Sequence, residues 1–267
     1  MNDIAQIMLY IQIATVVGCL LAGSFFDLVK REVSDIPWIV MGGIGIISTI
    51  IFIIFVEEKN HYGMLIGINI GVGILVSVLL YYTGIMGGAD AKALMALSLN
   101  TAIYPFNLEL TSLQVYAYIP SIFNIFFNWL LAMVIFYPLP LLFYNLYLKT
   151  TGLKLFENTT ANFSSKILML ISGYLTPVEK AKNRNNVVYS EVYDEKKEKW
   201  EIKHFIQVQE VEEEEKFKKE IEEKIEKTKR KNIWVKVLPP GIVFLLIGYI
   251  VNLFMGNVLF AIYHFTL

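Results

Sequence analysis

Charge is segregated along this chain. Of its 47 Asp, Glu, Lys and Arg residues, 35 lie between Lys149 and Lys236, which leaves 12 for the other 179 positions. The remainder is a series of apolar stretches near the length, about 20 residues, that spans a hydrocarbon core as a helix. A chain divided in this way reads as an all-α polytopic membrane protein with one water-exposed insert. Charged residues are 18 % of the whole, against about 25 % in an ordinary soluble domain, which disfavours a soluble enzyme or a disordered chain.

Six spans are expected, near residues 4–26, 36–56, 62–82, 91–104, 118–148 and 236–263. The first lacks a basic lead-in and an Ala-x-Ala type of cleavage site, so it reads as a span and not as a removed signal peptide. The fourth is short for a crossing, with Pro105 at its end. The fifth is long and is expected to kink at Pro138 and Pro140. These boundaries divide the chain into a membrane core of about five spans (1–148), an insert (149–235) and a sixth span with the C-terminus (236–267). Lys30, Arg31, Lys92 and the 19 basic residues of the insert all fall on one side of this arrangement. Basic loops stay cytoplasmic, so the insert is expected in the cytoplasm and both termini outside.

The insert is expected to be a small α+β unit. Residues 187–193 alternate as a strand does, 194–199 form a polar turn, and 200–209 read as the partner strand. From Glu210 to Lys231, Glu and Lys recur four apart (Glu212–Lys216, Glu214–Lys218, Glu220–Lys224, Glu223–Lys227), the pattern of a solvated helix. Its narrow apolar stripe, Phe217, Ile221 and Ile225, is read first as packing against the hairpin and second as a docking site for a partner.

Few residues are equipped for chemistry. Cys19 is the only cysteine, which rules out an internal disulfide and cysteine-based zinc or iron–sulfur sites. His61, His204 and His264 are scattered, with no His-Glu-x-x-His motif. No metal, cofactor or nucleic-acid partner is expected. Carboxylates at a bilayer edge are costly and mark function or a paired charge, which singles out Asp27, Asp35 and Asp90. Each has a structural reading as well. Asp35 precedes Ile36-Pro37 and is placed to cap a helix. Asp27 precedes Lys30 and Arg31 and is placed for an ion pair. Asp90 is placed to cap the fourth span. Capping does not account for Gly87 and Gly88 before Asp90, where glycine permits unusual backbone angles or the close approach of another helix. Asp27 and Asp90 come from different spans at one depth. Two nearby carboxylates share one proton and so offer a general base and a general acid together, the requirements for peptide hydrolysis by activated water.

The run Asp27-Leu-Val-Lys-Arg31-Glu-Val33-Ser-Asp35, followed by Gly87-Gly-Ala-Asp90-Ala-Lys92, resembles the membrane aspartyl proteases that process type IV prepilins and archaeal preflagellins. In that family one catalytic Asp ends the first span before a basic loop, as Asp27 does. The other stands in Gly-x-Gly-Asp, or Gly-x-hydrophobic-Asp in the archaeal branch, which Asp90 matches because Ala89 replaces the second glycine. Lys92 fits a lysine common two residues later. The resemblance implies an aspartic endopeptidase of the cell membrane. It implies as substrates membrane-anchored preflagellin or pilin-like precursors whose short basic leaders are removed at the cytoplasmic face. Asp27 and Asp90 would be catalytic, and Gly87, Gly88, Lys92, Glu32 and Asp35 would support the site. Bacterial members that also methylate the new N-terminus often carry two Cys-x-x-Cys pairs in a large early loop. Here that loop is under ten residues and has no cysteine, so cleavage without methyl transfer is expected.

The runner-up function is an ion- or proton-coupled transporter using paired carboxylates. It requires polar residues through the membrane, for which Asn69 and Asn128 are among the few candidates. A scaffold presenting the insert leaves Gly87-Gly88 and the two acids unexplained. A presenilin-like protease places its first Asp deep in a span after Tyr, unlike Phe26-Asp27. A serine protease lacks its Gly-x-Ser-x-Gly frame.

Overall fold

The structure is a computed structural model that describes residues 3–30, 33–84, 86–102, 120–157, 159–183, 187–203, 211–237 and 239–258. The chain forms two compact units, one of Met1–Met133 with Pro240–Leu267 and one of Val134–Pro239.

The first unit contains α1 (Asp3–Val29), α2 (Ile36–Phe55), α3 (Lys59–Tyr82), α4 (Gly88–Ser98), most of α5 (Ser121–Phe136) and, after the second unit, α10 (Gly241–Met255). Its surface and interior are inverted relative to a soluble protein. Ile39, Ile47 and Leu75 point outward, while Asn69, Ser77 and Asn124 are buried. Apolar side chains face lipid, and polar groups must find partners inside. Asn69 donates to the Ser98 carbonyl (2.8 Å) and accepts from the Ile122 amide (2.9 Å), joining the end of α4 to the start of α5. Asn128 donates to the Gly256 carbonyl and accepts from the Val258 amide. Both asparagines therefore serve as structural links and do not line a polar path. Close helix approaches fall at glycines, as lipid-embedded packing favours. A Cβ on Gly73 would run into the Ser98 side chain, and one on Gly248 would stand 2.7 Å from the Trp129 amide nitrogen.

Four apolar helical stretches are long enough to cross a membrane: Asp3–Val29, Ile36–Phe55, Lys59–Tyr82 and Ser121–Thr150. The last is α5 together with α6 (Pro138–Thr150), which part at Tyr137 where Pro138 starts a new helix. The helices at the other two expected spans are shorter. α4 has 11 residues in place of the expected 91–104, because the polar run after it takes over its last turn. Asn100 bonds the carbonyls of Ala96 and Met41, and Thr101 bonds that of Leu97. α10 opens at Gly241 and not at Lys236. Residues 232–237 are strand, and Pro239 and Pro240 lack the N–H groups an interior helical turn needs. Of the expected span 236–263, residues 259–263 lie outside the described residues.

The second unit runs from α6 through β1 (Thr159–Thr160), α7 (Phe163–Ser172), β2 (Gly173–Pro177), α8 (Val178–Lys182), β3 (Val187–Tyr189), β4 (Glu191–Asp194), β5 (Lys199–Ile202), α9 (Val211–Thr228) and β6 (Asn232–Val237). Two three-stranded sheets form, ordered β1-β5-β4 and β2-β6-β3. The expected hairpin is present where β4 meets β5, with Tyr193 opposite Trp200 and Asp194 opposite Lys199. Its first strand is broken, however. Residues 187–189 pair with β6, and 191–194 belong to the other sheet. The break is at Ser190, whose amide bonds the Trp234 carbonyl and whose carbonyl accepts from Lys203. The remainder of the expected partner strand, 204–209, lies outside the described residues. The apolar stripe of α9 packs inward, but chiefly on the β2-β6-β3 sheet and α8, with Trp200 the buried hairpin residue it meets. Ile221 and Ile225 are buried with Tyr174, Val178, Tyr189 and Val235, and Phe217 covers their edge.

Candidate active site

Asp27 occupies the last turn of α1, one turn after the buried pair Gly23 and Ser24. A Cβ on Gly23 would stand 2.6 Å from the Trp38 ring and 3.2 Å from Ile242, so α1 presses against α2 and α10 just before the acid. Asp90 lies in the first turn of α4. Acids are favoured there by the partial positive charge of a helix N-terminus. The two carboxyl groups are within electrostatic reach of one another.

The unusual backbone angle and the close helix approach expected of Gly87 and Gly88 fall at other glycines. Gly87 has φ −68° and ψ 159°, extended backbone open to any residue. A Cβ on Gly87 or Gly88 would make only ordinary contact, 3.6 Å from Asp90 Oδ2 and from Tyr81 respectively. The left-handed conformation falls at Gly84 (φ 70°), which ends the turn after α3. The close approach falls at Gly241. A Cβ there would stand 2.6 Å from Asp90 Cγ and Oδ1, so the carboxyl lies against the bare first residue of α10. The Trp129 indole N–H donates to the Gly241 carbonyl (3.0 Å), which fixes that residue from α5. Sequence reasoning missed both Gly241 and Trp129. The available signal was Pro239-Pro240-Gly241 at the head of the last apolar run.

Lys92 and Asp35 form an ion pair of their own. The ammonium donates to both Asp35 oxygens (2.7 and 2.8 Å), joining α4 to the N-cap of α2 in a half-exposed ion pair. Asp35 does stand at the N-cap position of α2, but its side chain makes no capping bond and is turned to Lys92 instead. Glu32 lies outside the described residues. Among the described residues no cluster of His, Cys, Asp and Glu is arranged to hold a metal ion.

Two family models match the chain. Residues 14–138, which include Asp27 and Asp90, match the type IV leader peptidase family. Residues 165–258, which include Gly241, match the archaeal Peptidase A24 C-terminus type II. No curated protein and no solved structure matches.

Proposed function

Because this chain belongs to the type IV leader peptidase family, in its archaeal branch, we propose that Asp27 and Asp90 are the catalytic dyad of a membrane aspartic endopeptidase. The observation that carries this reading is the contact of Asp90 with Gly241 while its carboxyl interacts with that of Asp27. The two acids come from the first and fourth helices, and the charge of one acts on the other, which supports reading them as a pair. Such a pair holds one proton between them. The ionised member takes a proton from the attacking water, and the protonated member gives one to the departing amine.

The substrates in this reading are preflagellin or pilin-like precursors. The cut removes a short basic leader at the cytoplasmic face, without methyl transfer. A substrate helix in lipid has its backbone groups paired and must open before attack. A glycine at its boundary makes opening easier by about 1 kcal/mol relative to alanine. Asp35 has both oxygens engaged by Lys92, which supports a part in anchoring the start of α4 and not in holding the leader's basic residues. Six spans, external termini and a cytoplasmic insert at 149–235 complete the proposal.

Cleavage of a pilin-like precursor in detergent tests it. Asp27→Asn and Asp90→Asn should each abolish cleavage, the double variant should look like either single one, and Asp35→Asn should retain most of it. The wild-type rate should be bell-shaped in pH, with two values that belong to the pair. Near-normal cleavage by either single variant would remove the dyad.

A further inference from the structure

The second unit carries an apolar surface that no part of it covers. One side of α6 faces inward, where Asn145 donates to the carbonyls of Leu170 and Gly173 and Leu148 joins a buried cluster around Met169 and Trp234. The other side exposes Phe143 (67 %), Leu146 (44 %) and Tyr147 (63 %). α7 packs beside α6 and repeats the pattern. Met169 is fully buried, while Phe163 (80 %), Ile167 (46 %) and Leu168 (44 %) are exposed. A helix with protein on one side and water on the other should be polar on its outer side. These two are apolar on both.

We propose that the outer face of α7 lies in the headgroup–acyl boundary of the leaflet from which α6 emerges, so that this part of the second unit rests in the bilayer surface and does not stand free in water. Three observations select lipid as the occupant. α6 is the second half of an apolar stretch long enough to cross a membrane, so lipid already meets the chain that leads into this face. The unit is joined to the membrane unit at both ends, through α5 and α10, which keeps it near the bilayer. Finally, residues 138–172 carry Lys149, Lys154 and Lys166 against a single acid, Glu157, whereas acids crowd α9. Apolar side chains with a basic rim are the composition of helices that lie in a membrane interface, where lysine meets lipid phosphate. α7 would then be a surface-lying helix in addition to the spans.

The test uses the full chain in vesicles of phosphatidylcholine and phosphatidylglycerol. Cys19 is the only cysteine, so Cys19→Ala provides a background for single labels. A nitrobenzoxadiazole probe is placed at Phe163→Cys, at Ile167→Cys and, as a water-facing control on α9, at Glu223→Cys. All three are exposed positions. A doxyl quencher high on the lipid acyl chain should extinguish most emission from positions 163 and 167 while leaving 223 bright. Quenching at 163 and 167 no greater than at 223 overturns the proposal. So does disulfide-linked dimer formation by the unlabelled Phe163→Cys variant, which would make a second copy of the chain the cover.

Discussion

Glu191 is fully buried, and every partner it has comes from another part of the second unit. Its carboxylate accepts from Arg230 (2.6 Å), the Thr159 hydroxyl (2.6 Å) and the Trp234 amide (3.0 Å), and the guanidinium lies over the Trp200 ring. Burial pushes this carboxyl up and the guanidinium down, each against the pair, while their mutual attraction and these hydrogen bonds pull back. With three donors on the carboxylate we take the pair as ionised. Removing one partner leaves the other charge stranded, so Arg230→Met should cost about 3–5 kcal/mol. The pH dependence should change as well. Without Arg230, burial holds the folded-state pKa of Glu191 above its unfolded value, so the folded state binds more protons. Stability should therefore fall as pH rises from the unfolded pKa through the folded one. Denaturation followed by the fluorescence of buried Trp200 and Trp234 reads both effects. At the site, the single atom that matters is one that is missing. Gly241→Ala inserts a methyl where the Asp90 carboxyl lies, and a displacement of about 1 Å costs about 100-fold in rate. Precursor cleavage should fall by that order while helical circular dichroism is unchanged.

Elements in the two units hold together by different physics, and that difference decided what could be read from the sequence. The first three helices were legible because a lipid-facing helix must be long and continuously apolar. α1, α2 and α3 lie within about three residues of their expected bounds. The length of α4 was hidden, because its end depends on where the Asn100 and Thr101 side chains turn. β2 and β6 were hidden for another reason. Leu175 and Trp234 are opposed in the β2–β6 pair and both buried, and no alternation of polar and apolar residues marks such strands. The charged helix was legible in both faces, Glu and Lys outside and Ile221 and Ile225 inside. Its charges nevertheless reach beyond the expected pairs, since Lys224 meets Glu195 and Glu226 meets Lys182. Its hold on the sheet is apolar. Ile221→Ala should cost the unit about 2–5 kcal/mol, read by the same tryptophan signal, whereas neutralising exposed Glu226 should leave its stability nearly unchanged. Asp27 and Asp90 were visible as acids out of place. Gly241 was not, because a close approach between residues 151 positions apart leaves no local pattern.

At the scale of the whole molecule, the segregation of charge corresponds to the division into two units, with α6 folding beside the charged segment although its own sequence is apolar. The orientation argued from the basic loops is directly checkable. In inside-out vesicles trypsin should cut within 149–236, and in right-side-out vesicles it should leave that region intact. The join between the units has a mechanical consequence. Only residues 238–240, two of them proline, separate the last residue of β6 from Gly241. Proline fixes φ and removes most of the freedom a linker needs to absorb movement. A pull on β6 therefore passes through a short join containing two prolines before it reaches the residue beside Asp90. Load on the folded insert and the position of Gly241 are thereby linked along the chain itself, through two residues that cannot rotate about φ.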